Sequence, residues 1–199
     1  MLVNHIVLAV LWMVYCVLHS VLASTKVKTK MQSLLGNRFR HYRLFYTLFA
    51  FAGLIGILWF QIVISSPTIF QPTTALGIAG GLLTIAGVTL MVICIKKYFL
   101  SLSGLMTLFK EKSSNKLIIT GVHRHLRHPL YLGTFVFIWG LLLLYPHFSL
   151  LIADTVITVY TLIGIAFEEN KLVEEFGEDY KSYQESVPKL IPRWRSTAK

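Results

Sequence analysis

Between Thr120 and Tyr131 the chain reads Thr-Gly-Val-His-Arg-His-Leu-Arg-His-Pro-Leu-Tyr, two arginines and three histidines set against an apolar run that lasts to Tyr145. Further on, a second apolar run ends in the carboxylate pair Glu168-Glu169. Charges at the mouth of a membrane bundle are costly to desolvate, so their presence points to a task. Pro129 suits the first position of a helix, where its missing N–H costs nothing. Arg127 and His128 then stand just before a helix N-terminus, where unpaired amides and the helix dipole favour an anion. The Arg127 guanidinium adds a fork matched to a carboxylate or phosphate. Tyr131 follows His128 by three positions and Arg127 by four, on one helix face. The spacing therefore describes a corner for an anion and a ring. Plain anchoring at the membrane interface is the competing account, since these residue types favour that depth.

Glu168 and Glu169 close a helix whose dipole disfavours them there. A cation from Arg124, Arg127 or a ligand offsets that cost; otherwise Glu168 simply opens a solvated tail. His123, His125 and His128 are spaced tightly enough to raise the question of a metal. The other histidines, His5, His19, His41 and His147, form no second cluster, so no metal site is expected. Asp154 falls several residues into the last apolar run, away from this corner, and is left outside the site.

The elements that hold these groups are membrane spans. The chain has 199 residues, 55% hydrophobic and 14% charged, too apolar for an ordinary soluble domain. About 20 apolar residues cross a bilayer core, and five runs qualify: 4–23, 44–65, 74–95, 129–146 and 148–167. The fold class expected is all-α, a polytopic membrane protein of about five transmembrane helices plus an amphipathic cytoplasmic C-terminal helix. Small residues at Ala52 and Gly56, and at Gly77 and Gly81, mark faces where helix backbones approach closely. The whole of 1–199 reads as one integral membrane domain, with 1–95 an N-terminal helical part and 96–199 the chemistry-bearing half.

Net charge is +10, and no Asp or Glu precedes Glu111. Cations cluster between the first two spans and after the third, while the Ser66 to Thr73 loop has none. Positive residues mark cytoplasmic loops, so the N-terminus is expected outside and the C-terminus inside. These cations flank apolar runs, which makes lipid headgroups their partner and not nucleic acid. The basic connector 24–43 is expected on the membrane interface, as an amphipathic segment. The first apolar run lacks a preceding cation, so it is not expected to be a cleaved signal peptide. Cys16 and Cys94 lie in apolar runs and read as packing residues. The long polar connection 98–128 carries the cluster Lys110 to Lys116. After Glu169, Leu172, Phe176, Tyr180 and Tyr183 recur at helical spacing, with Gly177 a break and Val187-Pro188 an end.

The motif Gly121-Val-His123-x-x-Leu-Arg127-His128-Pro-Leu-Tyr131-Leu-Gly133 resembles the signature of the isoprenylcysteine carboxyl methyltransferase superfamily. So does the second half of the pattern: Glu168-Glu169-x-x-Leu172, Glu175-Phe176-Gly177-x-x-Tyr180-x-x-Tyr183, Val187-Pro188 and Ile191-Pro192. The match covers about 95–195. The segments Leu18-His19-Ser20-Val21 and Arg43-Leu44-Phe45-Tyr46 resemble the bacterial NnrU-like and methanethiol S-methyltransferase branches. The resemblance implies a methyltransferase that binds S-adenosylmethionine on the cytoplasmic side and passes its methyl group to a lipophilic or small thiol or carboxylate acceptor. It implies Arg127 and Glu168 as catalytic residues and Gly121, His123, His128, Tyr131, Glu168 and Glu169 as cofactor-binding ones. The family commonly has an aromatic residue where His123 stands. Two other readings stay open: a membrane reductase binding NADPH, because sterol-reductase-like proteins have a similar Arg-His-aromatic corner, and a non-enzymatic NnrU-like membrane factor.

Overall fold

The computed structural model describes residues 1–102, 117 and 119–192. The Lys110 to Lys116 cluster lies outside the described residues. Every regular element among those described is a helix: α1 Leu2–Ala23, α2 Thr25–Leu35, α3 Phe39–Val63, α4 Thr74–Leu102, α5 Pro129–Leu144, α6 Phe148–Phe176 and α7 Glu178–Ser186. Single turns of 3-10 helix at Gly36–Arg38 and Gly121–Arg124 complete the list.

The boundaries follow local chemistry. Ser24 leaves helical geometry after α1, and its hydroxyl accepts from the Val27 amide at 3.4 Å to start α2. The connector expected at 24–43 is thus α2, a turn, and the beginning of α3. Thr73 Oγ1 accepts from the Leu76 amide at 3.3 Å ahead of α4. Pro129 is the first residue of α5, as its chemistry requires. Gly177, at φ +56°, ends α6 in a left-handed turn before α7.

Among the described residues, four helices have the length and composition to cross a membrane: Leu2–Ala23, Leu44–Val63, Thr74–Lys96 and Phe148–Phe176. Large apolar side chains such as Trp59 and Ile62 are 69% and 80% exposed, a surface suited to lipid and not to water. The protein is an integral membrane protein. The fifth apolar helix, α5, has 16 residues, about 24 Å long at 1.5 Å per residue. That is shorter than the roughly 30 Å of hydrocarbon, and shorter than the run 129–146.

The chain divides into two compact units, Met1–Pro72 with Tyr145–Tyr160, and Thr73–Leu144 with Thr161–Lys199. In the first, Leu8, Trp12, Ile57, Ile64 and Ala153 form the core. Trp12 Nε1 donates to Gln61 Oε1 at 3.0 Å inside it. Ser66 Oγ accepts from the Ser149 amide at 2.8 Å and pairs with His5 Nε2 at 3.2 Å. Asp154 is 2% exposed in this unit, and its Oδ2 has no hydrogen-bond partner among the described residues. Cys16 and Cys94 are both buried.

In the second unit, α4 lies against α5 along glycines. A Cβ added at Gly87 would stand 2.5 Å from the Phe137 amide nitrogen and 2.7 Å from Gly133 O. One added at Gly80 would stand 2.9 Å from Gly140 O. Gly77 and Gly81, expected to make such a contact, have nothing within 4 Å of that position, and neither does Gly56. The contact stripe uses the heptad-spaced pair Gly80 and Gly87 instead, on another face of α4.

Candidate functional site

The site lies within the second unit, where three pieces of chain meet: the residues before α5, the C-terminal part of α6, and α7 with the tail after it. Gly121 starts the 3-10 turn at φ +60°, a conformation that a side chain would strain. The turn brings His123 back toward its own chain, with His123 Nδ1 3.1 Å from Arg127 O. Tyr183 on α7 donates its hydroxyl to His123 O at 2.6 Å. The tail is fixed by main-chain bonds, Arg127 N donating to Pro188 O at 3.0 Å and His128 N to Lys189 O at 3.1 Å. Val187-Pro188 therefore ends α7 as expected and also straps the tail to the arginine-histidine corner.

Glu169 is the centre of this assembly. Its Oε1 accepts from Arg127 Nε at 2.8 Å and lies 3.1 Å from His128 Nε2. Its Oε2 is 2.9 Å from Lys189 Nζ. The Arg127 and Glu169 side chains are only 9% and 8% exposed. A buried ion pair is tolerable when its remaining donors are satisfied. Here Arg127 Nη1 donates to Gln184 O at 2.6 Å and Val187 O at 2.9 Å. The anion anticipated before α5 is thus met by the chain's own Glu169, and most of the arginine fork is engaged within the protein.

Glu168 faces a different environment. Its side chain is 45% exposed, and Oε2 accepts from the Tyr131 hydroxyl at 2.9 Å. His128 Nδ1 is 4.0 Å from that same oxygen. The His128 and Tyr131 rings stack at 5.7 Å with 24° between planes, so the two ends of the motif share one face.

A cavity of about 160 Å³ opens among Leu117, His123, Arg127, His128, Glu168, Leu172, Tyr180 and Tyr183. Of the residues singled out in the sequence, His123, Arg127, His128 and Glu168 line it. Tyr131 and Glu169 adjoin it through their bonds to Glu168 and to Arg127 and His128. Gly121 contributes the turn and is not among the lining residues. Lys189, Tyr180 and Tyr183 were not assigned a place in the site from sequence. The tyrosine spacing was visible, but Lys189 gave no signal, because its place depends on the tail folding back after Pro188.

Burial, followed by the negative charge of Glu169, pushes the Tyr180 phenol up to about 12. The group keeps its proton at neutral pH.

Comparison with known proteins agrees with the motif reading. Residues 76–179, more than half of the chain, match the family model described as phospholipid methyltransferase. Methanethiol S-methyltransferase 1 of Bradyrhizobium diazoefficiens is 28% identical over 189 residues, covering 91% of this chain and 64% of that protein. The methanethiol S-methyltransferase of Crocosphaera subtropica is 37% identical over 84 residues, 42% of this chain and 32% of its own. Protein-S-isoprenylcysteine O-methyltransferase of Schizosaccharomyces pombe is 33% identical over 84 residues, 42% of this chain and 36% of its own. The chain thus spans less than two thirds of the length of each of these relatives. No solved structure matches. The motif resemblance is borne out: the chain belongs to the phospholipid methyltransferase family.

Proposed function

We propose that this protein is an integral membrane methyltransferase that uses S-adenosylmethionine and methylates a lipophilic or small thiol or carboxylate acceptor. The observation that carries this reading is the meeting of Arg127-His128-Tyr131 with Glu168-Glu169 around one cavity. The relatives named for methanethiol and for isoprenylcysteine methylation support the same class of reaction.

The residues fit such a donor. Glu168 offers an exposed carboxylate beside the cavity, suited to an ammonium or sulfonium cation. His128 lines the cavity and is backed by the stacked Tyr131 ring, an aromatic surface suited to a ring. Leu117 and Leu172 give an apolar side, which keeps water from an attacking thiolate or carboxylate. When bound, the cofactor supplies an electrophilic methyl carbon. The protein's task is then to align an acceptor with it at about 3–3.5 Å.

In this reading Arg127 works at the reacting centre by fixing Glu169, His128 and the tail in place. Glu168 holds the donor's cationic end through the oxygen not engaged by Tyr131. His123, its carbonyl held by Tyr183, is another lining residue of the cavity. Gly121 supports this by setting the turn. Residues 1–199 act as one methyltransferase domain, with 96–199 its cofactor-binding half. The distribution of cations supports an outer N-terminus and a cytoplasmic site and C-terminus.

The test is a thermal-shift series on detergent-purified protein with S-adenosylmethionine, S-adenosylhomocysteine and NADPH. A ligand at 100 times its Kd stabilises by about 2.7 kcal/mol. Stabilisation by the two adenosyl compounds and none by NADPH is expected. A shift with NADPH alone moves the site to a reductase, and no shift with any of the three leaves a non-enzymatic factor.

A further inference from the structure

Gly56 lies in the interior of α3 with nothing within 4 Å of the position a Cβ would take. Glycine inside a helix is destabilising relative to alanine, and no close helix contact accounts for it here. The open space belongs to a cavity of about 340 Å³ between α1 and α3, wholly inside the first unit. Ala50 and Gly53 line it from the same face of α3. Helices that only packed together would close such a hollow, since folded interiors hold few voids larger than a water molecule. Val14, Leu18 and Phe49 also line it and are exposed on membrane-crossing helices, so the cavity is reached from lipid.

Three aromatic rings run along it. Tyr15 and His19 stack at 6.0 Å with 29° between planes, and His19 and Tyr46 lie at 5.6 Å and 39°. The Tyr15 hydroxyl donates to Ala50 O at 3.1 Å. His19 is less well matched. Both of its ring nitrogens face the Tyr46 hydroxyl, at 3.0 and 3.3 Å, and one hydroxyl hydrogen serves only one of them. A neutral imidazole has one acceptor nitrogen and one donor. With Tyr46 donating to the acceptor, the N–H is left facing apolar walls, which costs free energy unless a partner meets it. Among the described residues lining the cavity there is no Asp, Glu, Lys or Arg. An ionised head would find no counter-charge there, which disfavours a fatty acid or a phospholipid headgroup.

An uncharged, flat head that accepts hydrogen bonds, carried on an apolar chain, matches each of these features. The ring stack favours a planar group, and the unmatched N–H calls for a carbonyl. The volume lies at the lower end for small-molecule sites, so the cavity takes the head and the first part of the chain while the rest stays in the bilayer. We propose that the hollow between α1 and α3 binds the head of an isoprenoid quinone, a ring carbonyl accepting from the His19 N–H. The proposal is independent of the donor-site reading, because every residue it uses belongs to the first unit.

The experiment follows quenching of tryptophan fluorescence by decylubiquinone, with the full chain reconstituted in nanodiscs. Trp12 stands beside the cavity, its ring 6.1 Å from that of Tyr15. Saturable quenching is expected in the parent. Gly56→Leu fills the open space, so it should abolish the saturable component and melt no lower than the parent. His19→Phe keeps a ring in the stack and removes both nitrogens, so it should weaken binding about tenfold. Decanol has a chain of the same length without the quinone ring and should not compete. Quenching that never saturates in the parent, an unchanged Kd in either variant, or a lower melting point for Gly56→Leu would each overturn the assignment. Equal competition by decanol would overturn it too, and would leave the hollow as a seam filled by any lipid chain.

Discussion

Glu168 and Glu169 are neighbours in sequence and opposites in setting. Glu169 is 8% exposed and held by Arg127, His128 and Lys189, whereas Glu168 is 45% exposed and held by Tyr131. On a helix, successive residues point about 100° apart, so one carboxylate enters the knot while the other faces the cavity. The difference separates two kinds of importance. Glu169 keeps three segments of chain together, and Glu168 retains the capacity to meet a ligand.

The severest test of this contrast is to break the knot. Arg127→Ala leaves Glu169 buried without its buried cationic partner and removes a donor to two carbonyls, Gln184 O and Val187 O. Removing one member of a buried pair costs about 3–5 kcal/mol. Reversible unfolding in mixed detergent micelles should show a loss of that size, together with loss of ligand binding. A variant of unchanged stability that still failed to bind would mean that Arg127 serves the ligand directly, and the contrast would need redrawing.

The knot and the cavity were partly legible in the sequence, for identifiable reasons. Arg127, His128 and the paired glutamates announce themselves because charge beside an apolar run has to be justified. Spans 4–23, 44–65 and 74–95 were legible because membrane thickness sets a run length that few other structures demand. The glycine contact was placed on the wrong face of α4. That helix is apolar all round, so its sequence holds no polar stripe to show which side meets a neighbour, and Gly80 and Gly87 looked no different from Gly77 and Gly81. Lys189 was invisible for a different reason. Its bond to Glu169 closes only once the main chain of Arg127 and His128 pairs with Pro188 and Lys189, a tertiary event with no local periodicity.

Smaller perturbations sharpen the comparison from the edges of the knot. Tyr183→Phe removes the donor to His123 O and loosens the turn that begins at Gly121. One hydrogen bond of this kind is worth about 1 kcal/mol, read as a lower unfolding midpoint. Lys189→Ala removes a partner of Glu169 that is 45% exposed. Solvent screening keeps its effect below about 1 kcal/mol, and added salt should weaken the parent's advantage. A loss as large as that of Arg127→Ala would place the lysine inside the knot and not at its rim.

The mildest change in stability is expected at Glu168, where the change in function should be large. Glu168→Gln keeps the shape and the ability to accept from Tyr131, and removes only the charge. On an exposed side chain that alters folding by no more than about 0.5 kcal/mol. If Glu168 holds the cationic end of a methyl donor, losing its charge should cost about 1.5–3 kcal/mol of binding, the range for hydrogen bonds to charged groups, or roughly 10- to 100-fold in Kd. Calorimetry with S-adenosylhomocysteine, beside a thermal melt of the same sample, separates the two effects. A variant that melts normally and binds normally would show that Glu168 is only the solvated start of the tail. One that melts low would show that the neighbouring carboxylates share the structural load, and their opposition would disappear.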